Sequence, residues 1–319
     1  MPRILLLHAW SLAAPLLRGR LASAQLPALA AGAGFDGLEW LDRLLPSWER
    51  PVWRELGQAQ TQAGLGPGGL SLCLELRASK PLVAQQVDLA KELLSQCADL
   101  GARVVRVGIG GGPGASLGWL LLSLERHRNP QARLRRPLGC LARGAYGLWL
   151  GTGRPSLAAS RPLPPRAGDL ELQSAAWALQ PLARLAQDLG LTLALENHYG
   201  LTSHAEDMLL LKDLVWRAGL ESRAGEGTRL GICLDLGNFH PQIDRRAAVE
   251  LLAPAVAHVH FKTRQLDPGP EAGQGDYAGL LQSLARAGYG GCFSVEYEGP
   301  GDGLAGARAA AELLRGLWG

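Results

Sequence analysis

Paired cysteines of the kind that bind metals or build disulfide frameworks are missing from this 319-residue chain. Its five cysteines are scattered, odd in number and form no Cys-x-x-Cys pair: Cys73, Cys97, Cys140, Cys233 and Cys292. This spacing argues against a disulfide scaffold or a cysteine zinc site and favours a reducing compartment. We therefore expect a cytoplasmic protein.

The sequence also has little net charge and no long apolar run. Its 32 basic and 29 acidic residues leave a formal charge of +3, whereas a dedicated nucleic-acid binder carries a strongly positive field. No stretch of about 18 uninterrupted apolar residues is present, so we expect no membrane span. Arg3, the apolar residues 4–17 and the small residues 22–24 resemble a signal peptide, but the strand count below needs this segment in the fold.

Eight short apolar runs alternate with longer segments of helical periodicity. They predict strands at residues 3–8, 37–40, 70–76, 104–109, 192–196, 231–235, 257–261 and 292–297. Repeated strand–helix units give parallel strands with right-handed crossovers, and eight such units close into a barrel. We therefore predict an α/β protein with the (β/α)8 TIM-barrel fold, as a single domain over residues 1–319.

An open, doubly wound sheet is the structural alternative. Its usual marker is a Gly-x-Gly-x-x-Gly turn after the first strand. The glycine-rich turn of this chain, at residues 108–112, follows the fourth predicted strand instead. A glycine-rich turn alone is weak evidence for phosphate binding, and we interpret this one as a flexible loop.

The stretch between the fourth and fifth strands does not fit the repeat. A helix predicted at residues 173–189 leaves residues 113–168 as an insertion. Between residues 126 and 166 it has no Lys, Asp or Glu but nine arginines, at positions 126, 128, 133, 135, 136, 143, 154, 161 and 166. The insertion can be interpreted as a basic lid over an anionic ligand, as a poorly ordered loop, or as translated sequence that never matched the fold. Its composition favours the last two interpretations.

Four predicted strands end in a side chain that can bind a metal, namely Glu196, Asp235, His260 and Glu296. An unpaired buried charge is costly, so charged residues at four successive strand ends call for compensation. Because the carboxyl ends of barrel strands meet at one face, we expect these side chains to lie together. Such a hard, mostly oxygen set suits one divalent ion, Mn²⁺, Mg²⁺ or Co²⁺, with Zn²⁺ also open. Separate ion pairs are the alternative.

Six segments carry a family likeness: residues 34–39 (GFDGLE), 105–107 (VRV), 196–198 (ENH), 235–238 (DLGN), 258–262 (HVHFK) and 294–297 (SVEY). In this order the chain resembles the sugar phosphate isomerases/epimerases of the xylose isomerase-like barrel superfamily. The resemblance implies one divalent metal, Mn²⁺ foremost, held by Glu196, Asp235, His260 and Glu296. It also implies that Glu196 and Glu296 exchange protons with the substrate carbon through an enediolate, in a sugar, sugar phosphate or polyol isomerase or epimerase.

Further residues are candidate substrate contacts: His8, Glu39, Arg106, His198, Asn238 and Lys262. The two cations can bind anionic or hydroxyl oxygens, and the others stand at or just past strand ends. Two positions depart from the family. Asn238 stands where the better characterised epimerases often carry His, and Thr263 stands where many members carry Asp. These departures leave the exact reaction open.

Three other functions fit the same scaffold. A dehydratase of a cyclic polyol would use the same metal and a base to eliminate water. An apurinic-site endonuclease needs a three-metal cluster and more histidines than the seven present. A non-catalytic sugar-binding barrel is the last alternative, because ligands alone do not prove turnover. We expect a small-molecule sugar or polyol partner, no nucleic acid and no membrane, and the sequence leaves a homo-oligomer open.

Overall fold

In the computed structural model, eight parallel strands close into a barrel in chain order. The structure describes residues 4–109, 162–220, 230–264 and 276–318, except for the side chains of residues 219 and 220. The strands are β1 (Leu5–His8), β2 (Gly37–Leu41), β3 (Gly68–Leu74), β4 (Ala102–Ile109), β5 (Thr192–Glu196), β6 (Leu230–Asp235), β7 (Val256–Thr263) and β8 (Phe293–Tyr297). The predicted TIM barrel is confirmed, and each predicted strand overlaps an observed one.

The N-terminal segment that resembles a signal peptide supplies β1, which is part of the barrel. Leu6 of β1 is in register with Gly37 of β2 on one side and with Ser294 of β8 on the other. At the other end of the chain, β7 extends past its predicted end because Lys262 and Thr263 pair with Glu296 and Tyr297 of β8.

Helices connect the strands on the outside of the barrel. In the described residues they are α1 (Ala13–Leu17), α2 (Leu26–Gly32), α3 (Arg50–Gln62), α4 (Lys80–Gln96), α5 (Asp169–Asp188), α6 (Ala205–Leu220), α7 (Arg245–Leu252), α8 (Tyr277–Arg286) and α9 (Gly303–Trp318). Helix α5 matches the prediction at 173–189. No helix in these ranges has the length and apolarity needed to cross a membrane.

Most of the predicted insertion, residues 113–161, lies outside the described part of the chain. Arg166, one of its nine arginines, is described, and its Nε donates to Asp207 Oδ1 at 2.5 Å. That carboxylate is 2% exposed, so the pair ties the end of the insertion to α6. The described residues do not distinguish between the three interpretations of the insertion.

The two faces of the barrel sheet differ in polarity. Outward-facing residues such as Val105, Leu193 and Leu195 are fully buried against the helices, where an aliphatic side chain contributes about 1.5–3 kcal/mol. The inward-facing positions of a TIM barrel are usually filled by branched apolar residues. Here several are polar and fully buried: Glu39, Ser71, His258, His260 and Ser294. These groups need partners inside the barrel, and their partners define the site.

Candidate active site

The four predicted metal ligands meet at the carboxyl ends of β5 to β8. His260 Nδ1 lies 3.1 Å from Glu196 Oε1, 3.7 Å from Glu296 Oε2 and 3.9 Å from Asp235 Oδ2. All four side chains are buried, Glu296 being the most exposed of them at 4%. The strand ends therefore bring three carboxylates around one imidazole nitrogen.

Three atoms of this group have no hydrogen-bond partner, namely Glu196 Oε1, Asp235 Oδ2 and His260 Nδ1. A buried polar atom left unsatisfied costs about 1–3 kcal/mol, so three facing one another require an explanation. Ligand atoms of these three residues lie within 4.8 Å of one another. The residues present therefore fit a divalent cation, of the kind that prefers oxygen ligands with one imidazole.

The charges around the site favour the same interpretation. Five carboxylates take part in the network: Glu39, Glu196, Asp235, Glu296 and Glu298. Three permanent cations face them: Arg106, Lys262 and Arg264. With neutral histidines the network has two uncompensated negative charges, which one divalent ion would balance.

The two histidines inside the barrel have raised pKa values in the absence of an ion. Burial lowers the pKa of His260, but Cys233 and Glu39 outweigh it and raise that pKa well above its ordinary value. Burial likewise opposes protonation of His258, whose pKa is nevertheless raised well above its usual range by Cys292 and Glu39. A metal ion that binds His260 therefore competes with a proton for this imidazole.

The Asp235 carboxylate is oriented by its neighbours. Its backbone N–H donates to Asn197 Oδ1 at 2.7 Å, and Asn197 Nδ2 donates back to its carbonyl at 2.8 Å. The Gly237 N–H donates to Asp235 Oδ1 at 2.8 Å. These bonds direct the other oxygen, Oδ2, toward the ligand cluster.

Glu196 is paired with a single arginine. Arg106 Nη2 donates to Glu196 Oε2, while Nη1 contacts the sulfur of Cys73 at 3.3 Å. Burial opposes ionisation of Glu196, but the guanidinium and His260 outweigh it and bring its pKa well below its usual value. Glu196 is therefore a firmly ionised carboxylate.

Glu296 shares its cation with other carboxylates. Lys262 Nζ lies 2.8 Å from Glu296 Oε1, 3.2 Å from Glu298 Oε1 and 3.5 Å from Asp235 Oδ2, and it donates to Asn238 Oδ1 at 3.2 Å. Burial raises the pKa of Glu296, and the lysine offsets this effect only in part. Burial also raises the pKa of Asp235, to about 7.

His8 faces Glu296 from the first strand. The backbone N–H of Trp10 donates to His8 Nδ1 at 3.2 Å, so the ring proton resides on Nε2, which lies 3.1 Å from Ser71 Oγ. Burial lowers the pKa of His8 to about 3, which keeps the ring neutral at neutral pH. Its Nδ1 lies 3.6 Å from Glu296 Oε2.

Glu39 lies below the ligand cluster and is fully buried. Its Oε1 accepts from Ser71 Oγ at 2.6 Å and lies 3.0 Å from His260 Nε2. Its Oε2 lies 2.7 Å from His258 Nε2. Both carboxylate oxygens are therefore bonded to side chains of the protein.

A pocket of about 200 Å³ opens over the cluster. Its lining includes His8, Trp10, Arg106, His198, Lys262 and Glu298. Burial lowers the pKa of His198 to about 4, so this imidazole is also neutral at neutral pH. A larger cleft of about 720 Å³ lies at the other end of the barrel, beside Arg54 and Asp99. Because TIM-barrel chemistry occurs at the carboxyl ends of the strands, we assign the site to the smaller pocket.

The structure brings together the residues that the sequence singled out. His8, Arg106, His198 and Lys262 line the pocket, Asn238 contacts Lys262, and Glu39 contacts His260. The sequence analysis missed other polar members of the network: Ser71, Asn197, His258 and Glu298. Strand alternation was a usable signal for two of them, because His258 and Glu298 stand two residues from His260 and Glu296.

Solved structures share this architecture over nearly the whole chain. A structure of L-ribulose 3-epimerase has a TM-score of 0.65 at 19% identity and covers 100% of this chain and 95% of its own. A D-allulose 3-epimerase from Methylomonas sp., in complex with D-allulose, has a TM-score of 0.60 at 15% identity, covering 98% and 96%. A xylose isomerase domain protein from Alicyclobacillus acidocaldarius subsp. acidocaldarius has a TM-score of 0.60 at 19% identity, covering 98% of both chains. At these identities the likeness establishes the fold.

A search among curated proteins finds no match to the sequence. A sequence model for a protein family does match. It covers residues 144–317, more than half of the chain, and its description is "Xylose isomerase-like TIM barrel". The chain belongs to the xylose isomerase-like TIM barrel family.

Proposed function

We propose that this protein is a divalent-metal-dependent sugar isomerase or epimerase. The observation that carries the proposal is the convergence of Glu196, Asp235, His260 and Glu296, with three buried polar atoms that face one another and have no hydrogen-bond partner. The likeness to solved sugar 3-epimerases supports a sugar substrate. Mn²⁺ is the proposed ion because the site is mostly oxygen with one imidazole.

The four converging residues would hold the ion. When bound, a divalent metal polarises a carbonyl or hydroxyl oxygen of the substrate, which acidifies the adjacent C–H bond. The protein must then supply a group that removes the proton and a group that returns one. Glu196 and Glu296, on β5 and β8, stand on two sides of His260 and can act from two directions.

The two glutamates differ in a way that suits these two roles. Opposed pKa values within one site are typical of acid and base partners. Glu196 is kept ionised by Arg106, as a base must be. Glu296 has a raised pKa, which suits a carboxyl that carries a proton to the substrate. For an epimerisation, we therefore assign Glu196 as the initial base and Glu296 as the initial acid.

The remaining pocket residues would bind substrate hydroxyls. Lys262 would stabilise negative charge that develops on a substrate oxygen, because its side chain lines the pocket beside Glu296. His8 and His198 are neutral and offer one donor and one acceptor each. The described cysteines are free thiols, in keeping with a reducing, cytoplasmic location.

Solvent isotope exchange tests the proposed reaction. Purified protein loaded with Mn²⁺ is incubated in D₂O with a panel of ketopentoses and ketohexoses, with and without phosphate groups. We expect deuterium to enter the carbon next to the carbonyl of at least one substrate, and Glu196→Gln, which lacks the proposed base, to slow this exchange by about 10²- to 10⁴-fold. Metal-loaded, folded protein that exchanges no proton with any ketose would contradict the proposal. Release of water with an absorbing enone product would instead identify a dehydratase.

A further inference from the structure

We propose that Glu39 is a positioning residue that fixes the imidazole of His260 for metal binding. This inference rests on the proposed function, because it concerns the same ion. It assigns the Glu39 carboxylate to the support of the metal site, whereas the sequence had suggested substrate contact. The proposal stands on the bonds made by the two nitrogens of His260 and the two oxygens of Glu39.

The two nitrogens of His260 face different surroundings. Nδ1 points at the oxygens of Glu196, Asp235 and Glu296 and has no hydrogen-bond partner. Nε2 lies 3.0 Å from Glu39 Oε1, on the opposite side of the ring. A carboxylate at this distance accepts a hydrogen bond from Nε2–H, so that the lone pair of Nδ1 can be directed at an ion held between the three carboxylates. Glu39 thereby selects the tautomer that can bind a cation.

Glu39 is itself fixed from two directions. Ser71 Oγ donates to Oε1 at 2.6 Å, and His258 Nε2 contacts Oε2 at 2.7 Å. The other nitrogen of His258 lies 3.2 Å from Cys292 Sγ. The carboxylate therefore cannot rotate without breaking bonds in the barrel interior. It is fully buried and not part of the pocket lining, so a bound sugar would not contact it.

A carboxylate at position 39 accepts hydrogen bonds that an amide at the same position cannot accept. It accepts hydrogen bonds on both oxygens, whereas Gln at this position would direct an NH₂ group at Ser71 and His260 or at His258. One of the imidazoles would then lose its acceptor. Groups that orient a metal-binding histidine typically contribute about 10- to 100-fold to metal affinity.

The test measures metal affinity directly, without turnover. Mn²⁺ is titrated calorimetrically into metal-free wild type, Glu39→Gln, Glu39→Asp and Asp207→Asn. The last variant is the matched control, because Asp207 is also a buried carboxylate but bonds Arg166 and the Ala167 N–H on the outside of the barrel. We expect affinity about 10- to 100-fold weaker for Glu39→Gln and an unchanged affinity for Asp207→Asn.

Glu39→Asp is the second variant, in case Glu39→Gln does not fold. It keeps the charge but is one methylene shorter, so it cannot reach Ser71, His258 and His260 together, and we expect weaker Mn²⁺ binding. The tautomer of His260 can also be measured directly in the wild-type protein, which provides an independent test. In ¹⁵N NMR spectra of the protein loaded with diamagnetic Zn²⁺, His260 should have a protonated Nε2.

The outcomes separate this inference from the proposed function. If wild type binds Mn²⁺ and both Glu39 variants bind it equally well, the positioning role is overturned while the metal site stands. A proton on Nδ1 of His260 would also overturn it. If folded wild type binds no divalent ion, the proposed function fails and this inference fails with it.

Discussion

The β4–β5 side and the β7–β8 side of the site balance their buried charges differently. On the first side one arginine, Arg106, meets one carboxylate, Glu196. On the second side one lysine, Lys262, is shared by Asp235, Glu296 and Glu298, and Glu298 also contacts Arg264. The first side is therefore neutral by itself, whereas the second has an excess of negative charge.

This difference gives two chemically identical side chains different properties. The pKa of Glu196 falls because its cation is not shared, and the pKa of Glu296 rises because burial and the neighbouring Glu298 outweigh its share of the lysine. A cation bound between the two sides would be attracted mainly by the β7–β8 side. The acid and base roles proposed above depend on this asymmetry.

The largest expected effect is a difference in stability between Glu196→Gln and Glu296→Gln. Removing Glu196 leaves Arg106 as an unpaired buried cation, which costs about 3–5 kcal/mol. Removing Glu296 leaves Lys262 with two carboxylates, so we expect a clearly smaller loss. Both variants should lose about 10²- to 10⁴-fold in activity. Chemical denaturation of the metal-free proteins measures the difference in the free energy of unfolding.

The control for this comparison is the double variant Glu196→Gln/Arg106→Met. Replacing a buried ion pair by apolar groups is often neutral or stabilising, so the second change should restore much of the lost stability. Equal losses for the two single glutamine variants would contradict the asymmetry.

A pair of glycines tests how tightly each cation is packed. A Cβ on Gly237 would lie 2.9 Å from both the Cγ and the carbonyl oxygen of Lys262. A Cβ on Gly108 would lie 3.1–3.3 Å from the guanidinium atoms of Arg106, which can give way more easily than backbone. We expect Gly237→Ala to cost about 1–3 kcal/mol, the usual range for overpacking, and Gly108→Ala to cost less. Thermal unfolding of the two variants measures this order, and a reversed order would contradict it.

The pH dependence of metal affinity distinguishes the two sides further. Without metal the pKa of Asp235 is about 7, so below that pH a proton competes with the ion. Mn²⁺ affinity should therefore rise with pH, by up to about tenfold per unit for each proton that the ion displaces. His260, whose pKa is also raised, contributes to this slope below and above pH 7, whereas the contribution of Asp235 ends near pH 7 and Glu196, already ionised, contributes nothing. Calorimetry at several pH values measures the slope, and a slope that does not decrease as pH rises through 7 would refute the assignment to Asp235.

The raised pKa of Asp235 also makes the stability of the metal-free protein depend on pH. Between the usual Asp pKa of 3.8 and the folded value of about 7, the folded state binds more protons at Asp235 than the unfolded state does. The contribution of this group to stability therefore decreases as pH rises through that window. The change should disappear when Mn²⁺ is present, because the ion then replaces the proton.

The smallest expected effect is that of Glu298→Gln. Glu298 Oε1 accepts from Trp10 Nε1 at 2.9 Å, a bond that the amide oxygen can keep. Its negative charge raises the pKa of Glu296, so its removal should shift the Glu296 titration to lower pH. We expect a few-fold change in kcat/KM and an alkaline limb of its pH profile displaced to lower pH, because Glu296 must carry a proton to act as the acid. An alkaline limb that stays in place would show that the neighbouring charge does not act on Glu296.

Much of the barrel was predictable because its strands are short apolar runs that end in polar residues. Glu196, for example, follows four residues of an apolar strand whose predicted and observed bounds coincide at Thr192–Glu196. The carboxyl ends of parallel strands share one face, so the convergence of the four ligands followed from the fold. The residue roles drawn from the family resemblance remain predictions.

The contacts that site residues make across neighbouring strands were not predictable from the sequence, because they depend on the register between those strands. The β6–β7 pairing shifts between Ile232 and Cys233, and this irregularity brings Asp235 opposite His260. An unshifted ladder would bring Asp235 opposite Val259, whose side chain points to the other face of the sheet. Sequence alternation identifies which residues face inward, but it does not reveal such a shift or which carboxylate each cation contacts.

The pairing of β1 with β8 determines when the barrel can close during synthesis of the chain. Leu5, Leu6 and Leu7 are in register with Phe293, Ser294 and Val295, and beyond them Trp10 donates to Glu298 across 288 residues of sequence. Such distant contacts form late, because long loops must close first. A nascent chain on the ribosome therefore cannot assemble the complete cation site until residues 293–298 have been synthesised. The onset of metal binding should therefore coincide with the closure of the barrel and not with the folding of individual strand–helix units.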